Sequence, residues 1–174
     1  MIEPATLEHV TEEPAETAAD FREFYEAQHE RLGRSLYLLT RSSHEAEELA
    51  QEALVRVYER WDRVRTMDSP VGYLYRTAMN LNRNRLRRLS VAARRLVTHA
   101  APASDLDDVE ERDGILSTLK FLPIGQRQAV VLVDWLGMDA EEAGRILGLK
   151  AVSVRVRLSR AHAALREALE ANDD

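Results

Sequence analysis

The 174-residue chain is acidic, with 30 Asp+Glu against 24 Lys+Arg, and 45% of its residues are apolar. That apolar share can fill the core of one domain or two small ones, while the absence of cysteine excludes a disulfide scaffold and any thiolate metal site. No basic-then-apolar leader opens the sequence, and its longest strongly apolar run, AVVLV at 129–133, is far too short to span a bilayer, so a soluble cytoplasmic protein without membrane insertion is expected.

Residues 1–19 are acidic and lack a base, which marks them as an N-terminal extension expected to be disordered. From Asp20 onward apolar residues recur at three and four, the helical period, and no strand alternation appears. Phe21, Phe24 and Tyr25 open this pattern, followed by Leu32, Leu36 and Leu39. In RSSHEAEELAQEALVRVYERW, Ser42 or Ser43 can cap a helix whose first turn carries acids, and Leu49, Ala53, Val57 and Trp61 line one face. Glu48, Gln51 and Glu52 fall on the opposite face, where residue types alone favour a plain solvated surface. The HEAEE segment lacks a histidine at i+4, so a zinc site of that kind is not expected.

DSPVGYLYRTAMNL restarts a helix with Ser69 as cap and Pro70 in the first position, and this helix should run on through the arginines toward residue 95. Tyr75 to Arg95 contains seven arginines and no carboxylate, within an acid-free zone from Asp68 to Asp105. Tyr73, Tyr75, Asn80, Asn82 and Asn84 interleave with Arg76, Arg83, Arg85, Arg87 and Arg88. Aromatic and amide groups can stack on and bond to unpaired bases while arginines hold the backbone. Tyrosines packed in the core are the competing reading.

Residues 98–113 have no apolar period, hold six acids between 105 and 113, and read as a flexible linker. A second helical unit, 114–174, follows. In DAEEAGRILGLKAVSVRVRLSRAHAAL a short helix should end at Gly148, which suits a left-handed turn, and a longer one should start near Ala151. Val154, Leu158, Ala161 and Leu165 form its buried stripe, and Ser153, Arg157 and Arg160 are expected to point outward with Arg155 on a flank. Such a helix can enter a major groove, although an amphipathic hairpin with a solvated basic face shares the spacing. The expected fold is all-α: two small helical domains, 20–97 and 114–174, joined by the acidic linker, the second containing a helix-turn-helix. Charge gathered in blocks points to basic surfaces for an anionic partner, separated by acidic segments.

Taken together, EAEELAQEALVRVYERWDRV, SPVGYLYRTAMNLNRNRLRR and the stretch from TLKFLPIGQRQ to AHAALREAL resemble, in that order, a bacterial RNA polymerase sigma factor of the extracytoplasmic-function class. The resemblance implies a non-enzymatic initiation factor without cofactors. Its first block would dock on the clamp helices of core RNA polymerase through Glu48, Leu49, Gln51 and Glu52. Its second would read and melt the −10 element of promoter DNA through Arg76, Asn80, Arg83, Arg87 and Arg88. Its third would read the −35 element through Ser153, Arg155, Arg157 and Arg160. An anti-sigma factor is a further candidate partner. Val152, Ala143 and Gly144 depart from the family's usual glycine, isoleucine and alanine, so the −35 sequence does not carry over. A stand-alone helix-turn-helix regulator is the alternative, told apart by binding duplex DNA without polymerase, and a helical interaction protein is a second, with no DNA dependence.

Overall fold

The structure, a computed structural model, describes residues 12–95 and 118–170. All regular elements among these residues are helical: α1 (Glu12–Thr40), α2 (Ser43–Tyr58), the single-turn α3 (Trp61–Val64), α4 (Pro70–Arg95), α5 (Ile124–Val130), α6 (Ala140–Leu147) and α7 (Ala151–Glu170). α5 passes directly into a π-helical turn, Val131–Trp135. The linker expected at 98–113 lies outside the described residues.

Local chemistry sets the boundaries. The Ser42 hydroxyl accepts from the Glu45 N–H at 3.3 Å and starts α2, while the Ser69 hydroxyl accepts from the Gly72 N–H at 3.0 Å and starts α4 at its proline. α6 opens with a reciprocal capping box between Asp139 and Glu142 and closes at Gly148 in the left-handed region, φ 69°. Within the N-terminal extension the structure describes only residues 12–19, which are helical and continue α1; residues 1–11 lie outside the described residues. Pro14 offers no obstacle there, because a proline in the first turn removes no intrahelical bond.

The first unit packs α1, α2 and α4 around Leu32, Leu36, Leu49, Ala53, Val57, Leu74 and Tyr75. Phe21 packs on Tyr58 and Trp61, and Phe24 on Trp61, with ring centroids 4.8–5.3 Å apart, which fastens the early part of α1 to α2 and α3. In the second unit α6 and α7 form the helix-turn-helix against α5, with Leu132, Ala143, Ile146 and Val154 inside.

The two units are packed on one another, which the sequence did not indicate. α4 lies against α6, α1 lies against α5 and the π turn, and apolar residues of both units form one continuous core. Two arginines fasten the seam by donating to main-chain carbonyls near helix ends, where the acceptors lack intrahelical partners. Arg31 of α1 reaches Leu136 O at 2.8 Å. Arg127 of α5 reaches Leu39 O at 2.8 Å and Leu122 O at 3.1 Å. Burial, and then Arg41 nearby, push the pKa of Arg127 below the usual guanidinium value, a modest effect for a group that stays charged throughout the ordinary pH range.

Candidate functional site

α2 and α4 cross so that their polar faces become the walls of one open groove of about 1070 Å³. Glu48, Gln51, Glu52 and Glu59 come from the α2 side and Tyr73, Arg76, Thr77 and Asn80 from α4, with Arg60 at the rim. The α2 wall thus carries three glutamates against one arginine, Arg56, and is net acidic, whereas the only charge on the α4 wall is Arg76. Arg60 bridges them by donating to the Tyr73 hydroxyl at 3.1 Å, and that bond raises its own pKa.

Glu48, Gln51 and Glu52 are exposed, as their helical phase demands. Gln51 donates to Glu47 at 3.2 Å and Arg56 donates to Glu52 at 2.6 Å, both one turn away on the same helix. Leu49 corrects the expected docking set: it is only 4% exposed and packs in the core, so it supports the helix from behind and presents nothing to a partner. His44 lies 3.4 Å from Glu48.

On α4, Arg76, Arg83, Arg87 and Arg88 are exposed and Asn80 is half-buried, its side-chain oxygen accepting from Arg83 at 2.9 Å. The interleaved side chains divide into two sets. Tyr73 stays at the groove, whereas Tyr75 and Asn82 are buried and cannot meet a base in this arrangement. Burial pushes the Tyr75 phenol above its ordinary pKa, an effect the nearby Ser35 hydroxyl and Arg31 guanidinium only partly offset. Arg85 is also set apart, ion-paired to Glu45 of α2 in a partly covered position. Burial lowers its pKa. Nothing in the residue order distinguishes Arg85 from its neighbours; only the approach of α2 does.

On α7 the phase of the outward face differs from expectation. Val154 and Ala161 are buried and Leu158 is partly so. Val152, Arg155, Val156, Ser159 and Arg160 are all exposed. Ser153 and Arg157 are partly covered. Arg157 sits only a short rotation from the buried stripe, and its Nη1 lies 3.5 Å from the Gly125 carbonyl. Gly125 makes room for it: a β-carbon there would lie 3.0 Å from Nη1. Arg155 is exposed but donates to Glu141 of α6 at 2.6 Å. His162 and Asp134, 2.7 Å apart, tie α7 to the π turn.

Gly144 has a steric reason to be glycine. A β-carbon at this position would lie 2.7 Å from the Leu149 carbonyl oxygen, and the Gly144 carbonyl itself accepts from the N–H groups of Gly148 and Leu149. The turn between α6 and α7 is thus pressed onto the helix at the one residue without a side chain. Among the described residues no group of three or more His, Asp or Glu is placed to hold a metal, and no helix is long and apolar enough to cross a membrane.

Comparison with known proteins bears on what these faces serve. Residues 24–92 match the family model for Sigma-70 region 2, and residues 112–165 match Sigma-70 region 4. The RNA polymerase sigma-E factor of Streptomyces avermitilis is 34% identical over 160 residues, covering 88% of this chain and 87% of that protein. The sigma factor SigM of Mycobacterium tuberculosis is 29% identical over 150 residues, covering 86% of this chain and 76% of that protein. In fold the chain is similar to the sigma factor RpoE from Bartonella quintana, solved in complex with the anti-sigma factor NepR. The TM-score is 0.74 at 22% identity, covering 87% of this chain and 97% of that one. With a groove between α2 and α4 in the region 2 match and a helix-turn-helix in the region 4 match, the chain belongs to the extracytoplasmic-function class of RNA polymerase sigma factors.

Proposed function

We propose that the two walls of the α2–α4 groove divide the work of initiation. The acidic α2 wall, Glu48, Gln51 and Glu52, docks on core RNA polymerase. The basic α4 wall and its extension, Arg76, Asn80, Arg83, Arg87 and Arg88, engage the −10 element. The observation that carries this reading is their common groove: docking brings polymerase beside the strand that Arg76 and Asn80 would hold. Arginines bind the phosphates, and the Asn80 amide and Tyr73 ring are suited to an unpaired base. On the second unit Arg155 and Arg160 lie outward on α7 for the −35 element, while Ser153 and Arg157 reach DNA only from the edges of that face.

In this reading the protein is a cytoplasmic initiation factor, with no catalytic centre and no cofactor. An anti-sigma factor is a further partner, as the Bartonella RpoE structure contains one. Modest overall charge fits delivery to DNA by polymerase, because local basic faces then suffice and non-specific affinity stays low.

The test is co-purification with core polymerase. Gln51→Ala combined with Glu52→Ala should weaken it by about 2–5 kcal/mol, the cost of removing polar partners from a desolvated interface, with circular dichroism unchanged. Wild-type retention by the double variant would sink the docking assignment. Tight binding of duplex promoter by the chain without polymerase would instead favour a stand-alone regulator.

A further inference from the structure

The exposed face of α7 contains two side chains that solvent does not explain. Val152 is 58% exposed and Val156 44% exposed. They stand one turn apart on the same strip as Arg155, Ser159 and Arg160. A β-branched residue on a solvated helix surface brings neither favourable helix propensity nor burial. Single exposed apolar residues are ordinary, but this pair occupies the first turns of the second helix of a helix-turn-helix, the part that meets base edges in the major groove.

Among the base pairs only those containing thymine present a methyl group in the major groove, at C5. The other groups there are hydrogen-bond donors and acceptors, to which valine has nothing to offer. We propose that Val152 and Val156 are specificity determinants that read thymine methyl groups in the −35 element. The inference rests on the assignment of α7 to −35 DNA made above. Side chains one helical turn apart have β-carbons about 5–6 Å from one another, and bases along a strand follow at about 3.4 Å. The pair therefore addresses thymines on neighbouring or next-but-one base pairs. Arg155, between the valines in sequence and already anchored by Glu141, can serve the adjacent phosphate or base edge. Readout by the valines buries apolar surface, so unlike the arginine contacts it carries no counterion release and should not weaken with salt.

The experiment uses holoenzyme assembled from core polymerase and the full chain, with a promoter selected from a library randomised at the −35 element. Each thymine of the selected element is replaced in turn by deoxyuridine, which removes the methyl group alone. Wild-type holoenzyme should lose about three- to fourfold in affinity at one or two positions, the effect of exposing one methyl-sized group. Val152→Ala or Val156→Ala should lose a similar factor on thymine DNA and suffer no further loss on deoxyuridine. Both substitutions are at exposed helical positions and favour helix, and a matching thermal midpoint confirms the fold. Selection of an element without preferred thymines, equal wild-type affinity for thymine and deoxyuridine at every position, or a full deoxyuridine penalty in both variants would each overturn the proposal. Failure of the underlying assignment has a different signature: scrambling the whole −35 element would then leave wild-type affinity unchanged, and both readings would go.

Discussion

α4 and α7 are both arginine-rich helices with an outward face, yet they commit their arginines differently. On α4 the fold is held by an apolar stripe, Leu74, Tyr75, Ala78, Met79 and Leu81. Arg76, Arg87 and Arg88 make no side-chain ion pair or hydrogen bond among the described residues, and Arg83 bonds only to Asn80 of its own helix. On α7 two arginines are part of the scaffold: Arg155 is held by Glu141 and Arg157 rests on Gly125, while Arg160 and Arg166 make no side-chain ion pair or hydrogen bond among the described residues. Apart from Arg85, which Glu45 of α2 holds, charge on α4 is therefore separable from stability, whereas on α7 the loss of Arg155 or Arg157 alters the helix-turn-helix as well as its surface.

The comparison assumes that both helices belong to one packed body, and the largest expected effect tests that assumption. Leu132 is fully buried in the core the two units share. Leu132→Ala should lower stability by about 2–5 kcal/mol. The chain has two tryptophans, Trp61 in the first unit and Trp135 in the second, so in a Trp135→Phe background the fluorescence reports the first unit alone. The Trp61 denaturation midpoint should fall with Leu132→Ala. An unmoved Trp61 transition would mean that the units unfold independently and that the seam made by Arg31 and Arg127 contributes little.

Next in size is the glycine on which the helix-turn-helix closes. Gly144→Ala forces a methyl group to 2.7 Å from a backbone oxygen that cannot swing aside. Overpacking of this kind costs about 1–3 kcal/mol, against which alanine recovers up to about 1 kcal/mol of helix propensity. The net result should be a lower urea midpoint and a loss of −35 discrimination, with polymerase co-purification intact. A stabilised protein with unchanged discrimination would show that the turn can shift, and that α7 is held by its arginine contacts more than by the turn.

Much of this arrangement was legible in the sequence because it rests on local rules. Ser69 with Pro70 and Gly148 are cap and turn residues whose backbone role follows from their own chemistry, and they stand where the spacing places them, while of the two serines open as the α2 cap the structure uses Ser42. The order of the three blocks identified the family. What escaped the reading depends on contacts distant in sequence. Arg85 and Arg87 look alike in the sequence, but only Arg85 is met by Glu45. Arg31 and Arg127 carry no mark of their partners on the other unit. On α7 the residue types suggest that Arg157 points outward with Arg160, but a three-residue step from Val154 leaves it nearer the Val154–Leu158 stripe.

A smaller effect should appear on α4, and it is confined to binding. Arg87→Gln with Arg88→Gln should leave the thermal midpoint unchanged, since neither side chain is paired among the described residues. Holoenzyme affinity for promoter should fall by about tenfold at moderate salt, with the salt slope reduced by about 2 if both arginines face duplex phosphates and by less on single strands. A change in the thermal midpoint as large as that of Gly144→Ala would erase the distinction drawn between the two helices.

The smallest effect is the sharpest test, because stability and affinity are expected to move in opposite directions. Glu141 lies in the first turn of α6, where its carboxylate suits the helix N-terminus, and it holds Arg155. Both partners of this pair are more than half exposed, 57% and 59%, and such pairs contribute at most about 1 kcal/mol. Glu141→Gln should thus cost little stability, and the Asp139–Glu142 capping box remains to hold the start of α6. It also frees Arg155 and removes a negative charge from the approach to DNA. Promoter affinity should rise a few-fold, with a salt slope steeper by up to about 1. Arg155→Gln should lower stability and affinity together. If Glu141→Gln left affinity unchanged, Arg155 would be a scaffold residue only, and the polar contacts of α7 with DNA would rest on Arg160.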